Sequence, residues 1–166
     1  MVLDPNVRVI ALDPGGTTGW ATWQALIIPG ITLGSLKSSQ SYHCGHIGGP
    51  EHGQELVNFL GHQRVMQTVV VCERFDDRHA GHHVDPVALK YIGAVEVWCK
   101  ENDVPLHMQM PGTAKAFVKD ANLRRLGVYQ GKQWKHAMDA YRHLFWYLIN
   151  GEPKRKDLLA KGWPNA

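Results

Sequence analysis

The sequence predicts an α/β fold in which an antiparallel meander joins parallel strands, giving a mixed sheet with helices packed on it. Three observations predict it. The first third of the chain strings strand-like runs between tight turns. Gln67 to Cys72 is a short, nearly continuous valine-rich run, as in a strand buried on both faces. Helical apolar stripes then separate and follow the later strands, so those strands are joined by helical crossovers and run parallel.

The first strand, Val7 to Leu12, ends on a single carboxylate, Asp13. Pro14, Gly15 and Gly16 follow as a tight turn, and Thr17 to Trp20 restart an extended pattern. A strand fixes where its terminal carboxylate points. The glycines are expected to clear side chains from beside Asp13, so that backbone and ligand can approach closely. Trp20 to Ile28 reads as the second strand, Pro29-Gly30 as a turn and Ile31 to Leu36 as a further strand. Residues 37 to 46 read as a loop leading into a short strand over Tyr42 to Ile47.

Gly48-Gly49-Pro50 breaks the pattern. From Glu51 to Arg64, Leu56, Val57, Phe59 and Leu60 recur at helical spacing. The Gln67 to Cys72 strand ends on Glu73, a second carboxylate at the end of a central strand. Residues 74 to 84 are a polar loop. Asp85 is an N-cap and Pro86 the first residue of a helix whose apolar face runs from Val87 through Trp98 to about Glu101. Val104 to Met110, closed by Pro111, is a third central strand. Thr113 to Val118 and Asn122 to Leu126 read as short helical pieces, with Gly127 as a stop. The last helix spans about Trp134 to Asn150, with Ala137, Tyr141, Leu144, Phe145 and Leu148 on one stripe. Gly151 and Pro153 end it. Residues 1–150 are thus expected to form one domain, and residues 151–166 a basic tail.

At 166 residues, with 44% hydrophobic and 20% charged side chains, the chain has the composition of a globular protein able to bury a core. No apolar run reaches the roughly 18 residues of a membrane span. The first residues lack the pattern of a signal peptide. Cys44, Cys72 and Cys99 are odd in number and widely spaced, which argues against a disulfide framework and fits a reducing cytoplasm. The net charge is +3, and the excess lies late. From Lys115 onward come Lys119, Arg124, Arg125, Lys132, Lys135, Arg142, Lys154, Arg155, Lys156 and Lys161, against Asp120, Asp139, Glu152 and Asp157. Such a half suggests a phosphate-bearing partner, or else a solvated basic face.

Asp13 and Glu73 end strands that can lie side by side, and in a parallel pair both carboxylates emerge at one edge of the sheet. On the last helix His136 and Asp139 are three residues apart, hence on one face and off the apolar stripe. Three carboxylates in one place repel one another unless cations bind between them. Oxygen-rich ligands suit Mg²⁺ or Mn²⁺, and a histidine tilts the set toward Mn²⁺. Two such ions suit an in-line phosphodiester displacement. Taken singly, each acid could equally be an unrelated strand-end or helix-surface carboxylate.

Three stretches, in order, resemble the RuvC-type Holliday-junction resolvases of the ribonuclease H-like superfamily, above all the small resolvases encoded by bacteriophages. LDPGGTTGW is similar to the family's first-strand aspartate with its Pro-Gly and Thr-Gly, VVVCERF to its fourth-strand glutamate, and HAMDA to its last-helix ligand pair. The resemblance covers roughly residues 7 to 150. It implies a ribonuclease H-like fold, a five-stranded mixed sheet with helices on both faces. It also implies a homodimer that resolves four-way junctions by paired phosphodiester hydrolysis, leaving a 5′-phosphate. On it, Asp13, Glu73, His136 and Asp139 are the catalytic metal ligands for two Mg²⁺ or Mn²⁺ ions. Lys115, Lys119 and Lys132 hold the DNA backbone, and Arg124 and Arg125 join them on charge alone. A bacterial cytoplasm, that of a phage host included, is the implied location. Phe75 stands two residues after Glu73, whereas the family often carries an aromatic at three.

Other functions share parts of this pattern. A nuclease of the same fold can act on flaps, forks or RNA. Asp13 to Gly19 also resembles the phosphate loop of actin-like ATPases, which need two such domains. A DNA-binding protein with a relic site is the non-enzymatic alternative. His143 is read as a polar-face residue, with a role in orienting a ligand as the alternative. The cluster His79, His82 and His83 reads as ordinary loop composition, and Cys44-Gly45-His46 lacks zinc spacing. Trp20, Trp23, Tyr91 and Trp98 are expected in the core. Tyr129 and Trp134, near basic residues, are candidates for contact with nucleic acid.

Overall fold

A computed structural model describes residues 6–26, 40–65, 67–74, 86–151 and 156–163. Five strands form one sheet in the order β3-β2-β1-β4-β5. They are β1 (Asn6–Asp13), β2 (Thr17–Leu26), β3 (Gln40–Gly48), β4 (Gln67–Glu73) and β5 (Leu106–Gln109). β1, β2 and β3 pair antiparallel as the meander, and β4 and β5 add in parallel on the other side of β1. Among the described residues the helices are α1 (His52–Gln63), α2 (Pro86–Glu101), α3 (Pro111–Phe117), α4 (Asp120–Leu126), α5 (Lys135–Asn150) and α6 (Lys156–Gly162), with a 3-10 turn over Lys132–Trp134.

Strand alternation divides the core into two layers. Ile10 and Leu12 of β1 and Val70 and Cys72 of β4 face Leu56, Leu60, Ile92 and Val95 of α1 and α2. Val9 and Ala11 of β1 and Val71 of β4 face the other way, toward Ala137, Tyr141, Leu144 and Leu148 of α5. The fold is therefore α/β, a mixed sheet with helices on both faces, as the sequence predicts. The period of two carries one step further. Asp13 follows Val9 and Ala11, and Glu73 follows Val71, so both terminal carboxylates point toward the α5 layer.

Several boundaries differ from the sequence reading. β2 begins at Thr17, where the extended pattern restarts after the turn, and Asp13 is opposite Gly19. β5 is shorter than residues 104 to 110. Pro105 has no N–H for the ladder, and Pro111 already opens α3 as its first residue. β3 runs Gln40–Gly48, longer than the expected Tyr42 to Ile47. Gly127 ends α4 in the left-handed region, at φ 80°. The segment expected as a basic tail holds α6, whose Leu158 is buried in the α5-side core, while Trp163 Nε1 donates to Phe117 O at 3.2 Å. The expected Ile31 to Leu36 strand and the polar loop after Arg74 lie outside the described residues. The three cysteines are free. Among the described residues, no helix is long and apolar enough to cross a membrane.

One glycine controls how close α5 comes. A Cβ on Gly19 would stand 2.0 Å from the His136 carbonyl oxygen and 2.7 Å from Ala137 N, which is backbone and cannot rotate away. Gly15 and Gly16 are less demanding than the sequence suggests. A Cβ on Gly15 would make only an ordinary 3.5 Å contact with Thr17 O, and one on Gly16 meets nothing within 4 Å. Gly19→Ala is expected to cost about 3 kcal/mol or more, since α5 must lift off the sheet. Gly16→Ala should stay within about 0.5 kcal/mol of the native protein. Urea unfolding of the two variants checks the contrast.

Candidate active site

The site is built on one row of residues across the sheet. Asp13 pairs with Gly19, and Gly19 with His46. On the other side, Leu12 pairs with Cys72, so the next step brings Asp13 abreast of Glu73, and Glu73 pairs with Gln109. Helix α5 lies across this row. Its backbone at His136 rests on Gly19, and His136 Nδ1 is 3.0 Å from Asp13 Oδ2. Two turns later His143, fully buried, has Nε2 2.6 Å from Glu73 Oε2 and Nδ1 2.8 Å from Gln109 Oε1. Gln109 Nε2 in turn donates to His143 O at 3.3 Å, which sets the orientation of the amide.

Asp139, between the two histidines on α5, is buried and held from two sides. Arg142 donates through one guanidinium nitrogen to Asp139 Oδ1 and through another to Asp120 Oδ1, and its Nε donates to Val118 O at 3.1 Å. The Lys115 ammonium, coming from α3, lies 3.3 Å from Asp139 Oδ2 and 3.2 Å from Glu73 Oε2. The Asp13 turn is secured from the opposite layer. Buried His52 of α1 has Nε2 2.7 Å from Thr18 Oγ1, and its ring lies against Tyr91, with centroids 3.9 Å apart.

The electrostatics follow from this packing. Burial pushes the Asp13 carboxyl above its usual range, and the nearby Glu73 and Asp139 charges add to the rise while the His136 hydrogen bond opposes it. Burial pushes Glu73 up too, but the His143 hydrogen bond and the Lys115 charge outweigh it, and the carboxyl ends below its usual value. Burial would lower Lys115, yet Glu73, Asp13 and Asp139 surround it and hold it above the usual lysine value. The hydrogen bond to Asp13 raises His136. Burial lowers His52.

Asp13, Glu73, Asp139 and His136 thus converge on one edge of the sheet as a set of carboxylate oxygens and one imidazole. That donor chemistry fits a hard divalent cation. Among the described residues, no three His, Cys, Asp or Glu side chains already stand close enough to share a metal ion. Two of the carboxylates share the Lys115 ammonium instead, so the cluster already holds a cation between its oxygens.

The expected DNA-contacting residues divide. Lys115 sits inside the cluster rather than out on a binding face. Lys119 is exposed, its Nζ donating to Lys115 O at 3.0 Å. Arg124 is exposed and stacks over the half-buried Tyr129 ring at 3.8 Å, and Arg125 reaches Gly162 O at 3.5 Å. Exposed Lys132 lines a pocket of ≈ 230 Å³ with Asp120, Tyr129, Lys135 and Arg142. Trp134 lies 5.2 Å from the His46 ring, centroid to centroid. Trp23, Tyr91 and Trp98 are buried, and half-buried Trp20 packs on Phe59. Phe75 and the histidines at 79, 82 and 83 lie outside the described residues.

Sequence reasoning did not single out Arg142 or Gln109. It read His143 as a polar-face residue, with a role in orienting a ligand as the alternative, and the structure has it fully buried with Nε2 against Glu73, as the alternative requires. Its spacings of seven from His136 and four from Asp139 were the signal. Arg142 had one too, standing three residues after Asp139 on the same helical face.

Solved structures share this arrangement of strands and helices. The Thermus thermophilus RuvC structure matches with a TM-score of 0.54 and 17% sequence identity, over 82% of this chain and 90% of that one. T. thermophilus RuvC in complex with Holliday junction substrate matches with a TM-score of 0.54 and 18% identity over the same shares. At that identity the likeness is one of fold, and the chain has the RuvC-type, ribonuclease H-like fold. No protein-family model matches the chain, and no curated protein matches it by sequence.

Arg142→Met should lower stability by on the order of 3 kcal/mol, because it leaves buried Asp139 without its fixed counter-charge. Chemical denaturation measures it. A loss below about 1 kcal/mol means that Lys115 alone suffices for Asp139.

Proposed function

We propose that the chain is a divalent-ion-dependent endonuclease that resolves four-way DNA junctions by paired phosphodiester hydrolysis. One observation carries the reading: Asp13, Glu73, His136 and Asp139 meet at one sheet edge of a RuvC-type fold. The partner class is supported by the structural neighbour that is bound to Holliday junction substrate.

Asp13, Glu73, Asp139 and His136 are the residues that would hold Mg²⁺ or Mn²⁺. Divalent ions supply, when bound, a more acidic water and a counter-charge for the leaving 3′-oxygen. The chain's own part is position. Asp13 and Glu73 stand on the ends of paired central strands, so their backbone is rigid. His143 and Gln109 fix the Glu73 carboxylate, and Arg142 fixes Asp139. Carboxylates so held need little reorganisation when charge develops on a phosphate. Lys119, Arg124, Arg125 and Lys132, all exposed, offer positive charge to the DNA backbone, and such binding weakens steeply with salt. Among the described residues one chain carries one such cluster, whereas a four-way junction needs two opposed cuts. A homodimer supplies the second site and makes the nicks symmetric. The reading implies a protein that works where DNA is, in a bacterial cytoplasm.

A synthetic four-way junction incubated with the protein and Mg²⁺ or Mn²⁺ should yield two symmetric nicks with 5′-phosphate ends. Asp13→Asn should slow cleavage at least a hundredfold while leaving the melting temperature within a few degrees. Cleavage of flaps, forks or RNA in preference to the junction would keep the fold's chemistry and replace the substrate. No cleavage in either metal, or full activity in Asp13→Asn, contradicts the proposal.

A further inference from the structure

We infer that Lys115 is an internal counter-ion that competes with divalent cations for the carboxylate cluster, holding Glu73 and Asp139 together until an incoming ion displaces it. The inference rests on the reading of that cluster as a divalent-ion site.

Three cationic or hydrogen-bonding partners hold Glu73 and Asp139, and they are not equivalent. His143 is fully buried, contacts Glu73 at 2.6 Å and is itself fixed by Gln109. Arg142 is 15% exposed and tied at once to Asp139, Asp120 and Val118 O. Neither can leave without dismantling its neighbours. Lys115 differs in every respect. Its side chain is 38% exposed, it sits on the seven-residue helix α3, and its ammonium is carried on a flexible four-carbon stem.

Its contacts are also the loosest of the set. At 3.2 and 3.3 Å they exceed the 2.7–2.9 Å usual for a charge-assisted N–H···O bond. The ammonium nevertheless bridges the strand-borne Glu73 and the helix-borne Asp139, which no other described side chain does. A divalent ion taking those oxygens carries twice the charge of the lysine. Two cations on the same oxygens repel, so binding of one requires withdrawal of the other. The exposed side of Lys115 gives it a path into solvent.

Mn²⁺ binding to the full chain without DNA, followed by titration calorimetry, tests this. Lys115→Met should bind Mn²⁺ at least tenfold more tightly than the native chain. Without metal it should melt at a lower temperature, and it should gain more on Mn²⁺ saturation. Lys100→Met, which removes the same charge from the end of α2, should bind as the native chain does. Should Lys115→Met fold poorly, Lys115→Arg, which keeps the charge, is expected to bind Mn²⁺ no more tightly than native. Unchanged or weaker binding by Lys115→Met overturns the inference, as does equal tightening in Lys100→Met or tightening in Lys115→Arg. Tightening in Lys115→Met alongside a native chain that cuts no junction sustains the inference and removes the nuclease reading. Junction cleavage without tightening does the reverse.

Discussion

The seat of α5 on Gly19 is the contact on which the rest of the structure depends. A helix backbone normally keeps side-chain distance from a sheet. Here the missing Cβ at one position of β2 lets the first turn of α5 touch the strand itself. That contact fixes the height of the helix over the sheet and sets His136 beside Asp13. From there the two sides of the helix meet different strands. Tyr141 and Phe145 face β3, where the Phe145 ring lies against Tyr42, while His143 and Tyr147 face β4 and β5, against Glu73 and His107.

Bringing Asp13, Glu73 and Asp139 together creates an electrostatic problem that the packing answers in layers. The innermost partners, His143 and Arg142, are buried and fixed, and they set where two of the carboxylates point. Lys115 closes the open side of the cluster with a movable charge. Asp13 has the weakest support, a half-exposed His136, and its carboxyl is the one held above its usual range by burial. A cluster in which one acid is under-neutralised and one counter-ion is movable is disposed to take up further positive charge. The same features that keep the fold stable without a ligand leave it receptive to one.

Much of this was legible in the sequence. The valine-rich run into Glu73 and the strand into Asp13 announced parallel neighbours with both acids at one edge of the sheet. The spacing of His136 and Asp139 announced a helical pair. What sequence could not supply was how α5 seats on the sheet. Without it, His143 read first as a polar-face group, nothing placed Lys115 between Glu73 and Asp139, and Gly19 read as one residue of a resumed extended stretch. The glycines that sequence did favour, Gly15 and Gly16, prove to have room around them. Their neighbours explain the turn better, since His52 reaches across from α1 to hold Thr18, a contact between residues 34 apart that no local pattern encodes.

The central claim is that the four convergent side chains form one divalent-ion site. Anomalous diffraction from crystals grown with Mn²⁺ addresses it directly. The account predicts manganese peaks bounded by Asp13, Glu73, Asp139 and His136, with the Lys115 ammonium withdrawn from Glu73 and Asp139. Saturating Mn²⁺ that leaves no peak there, or a peak elsewhere with Lys115 still seated between the two carboxylates, would contradict it.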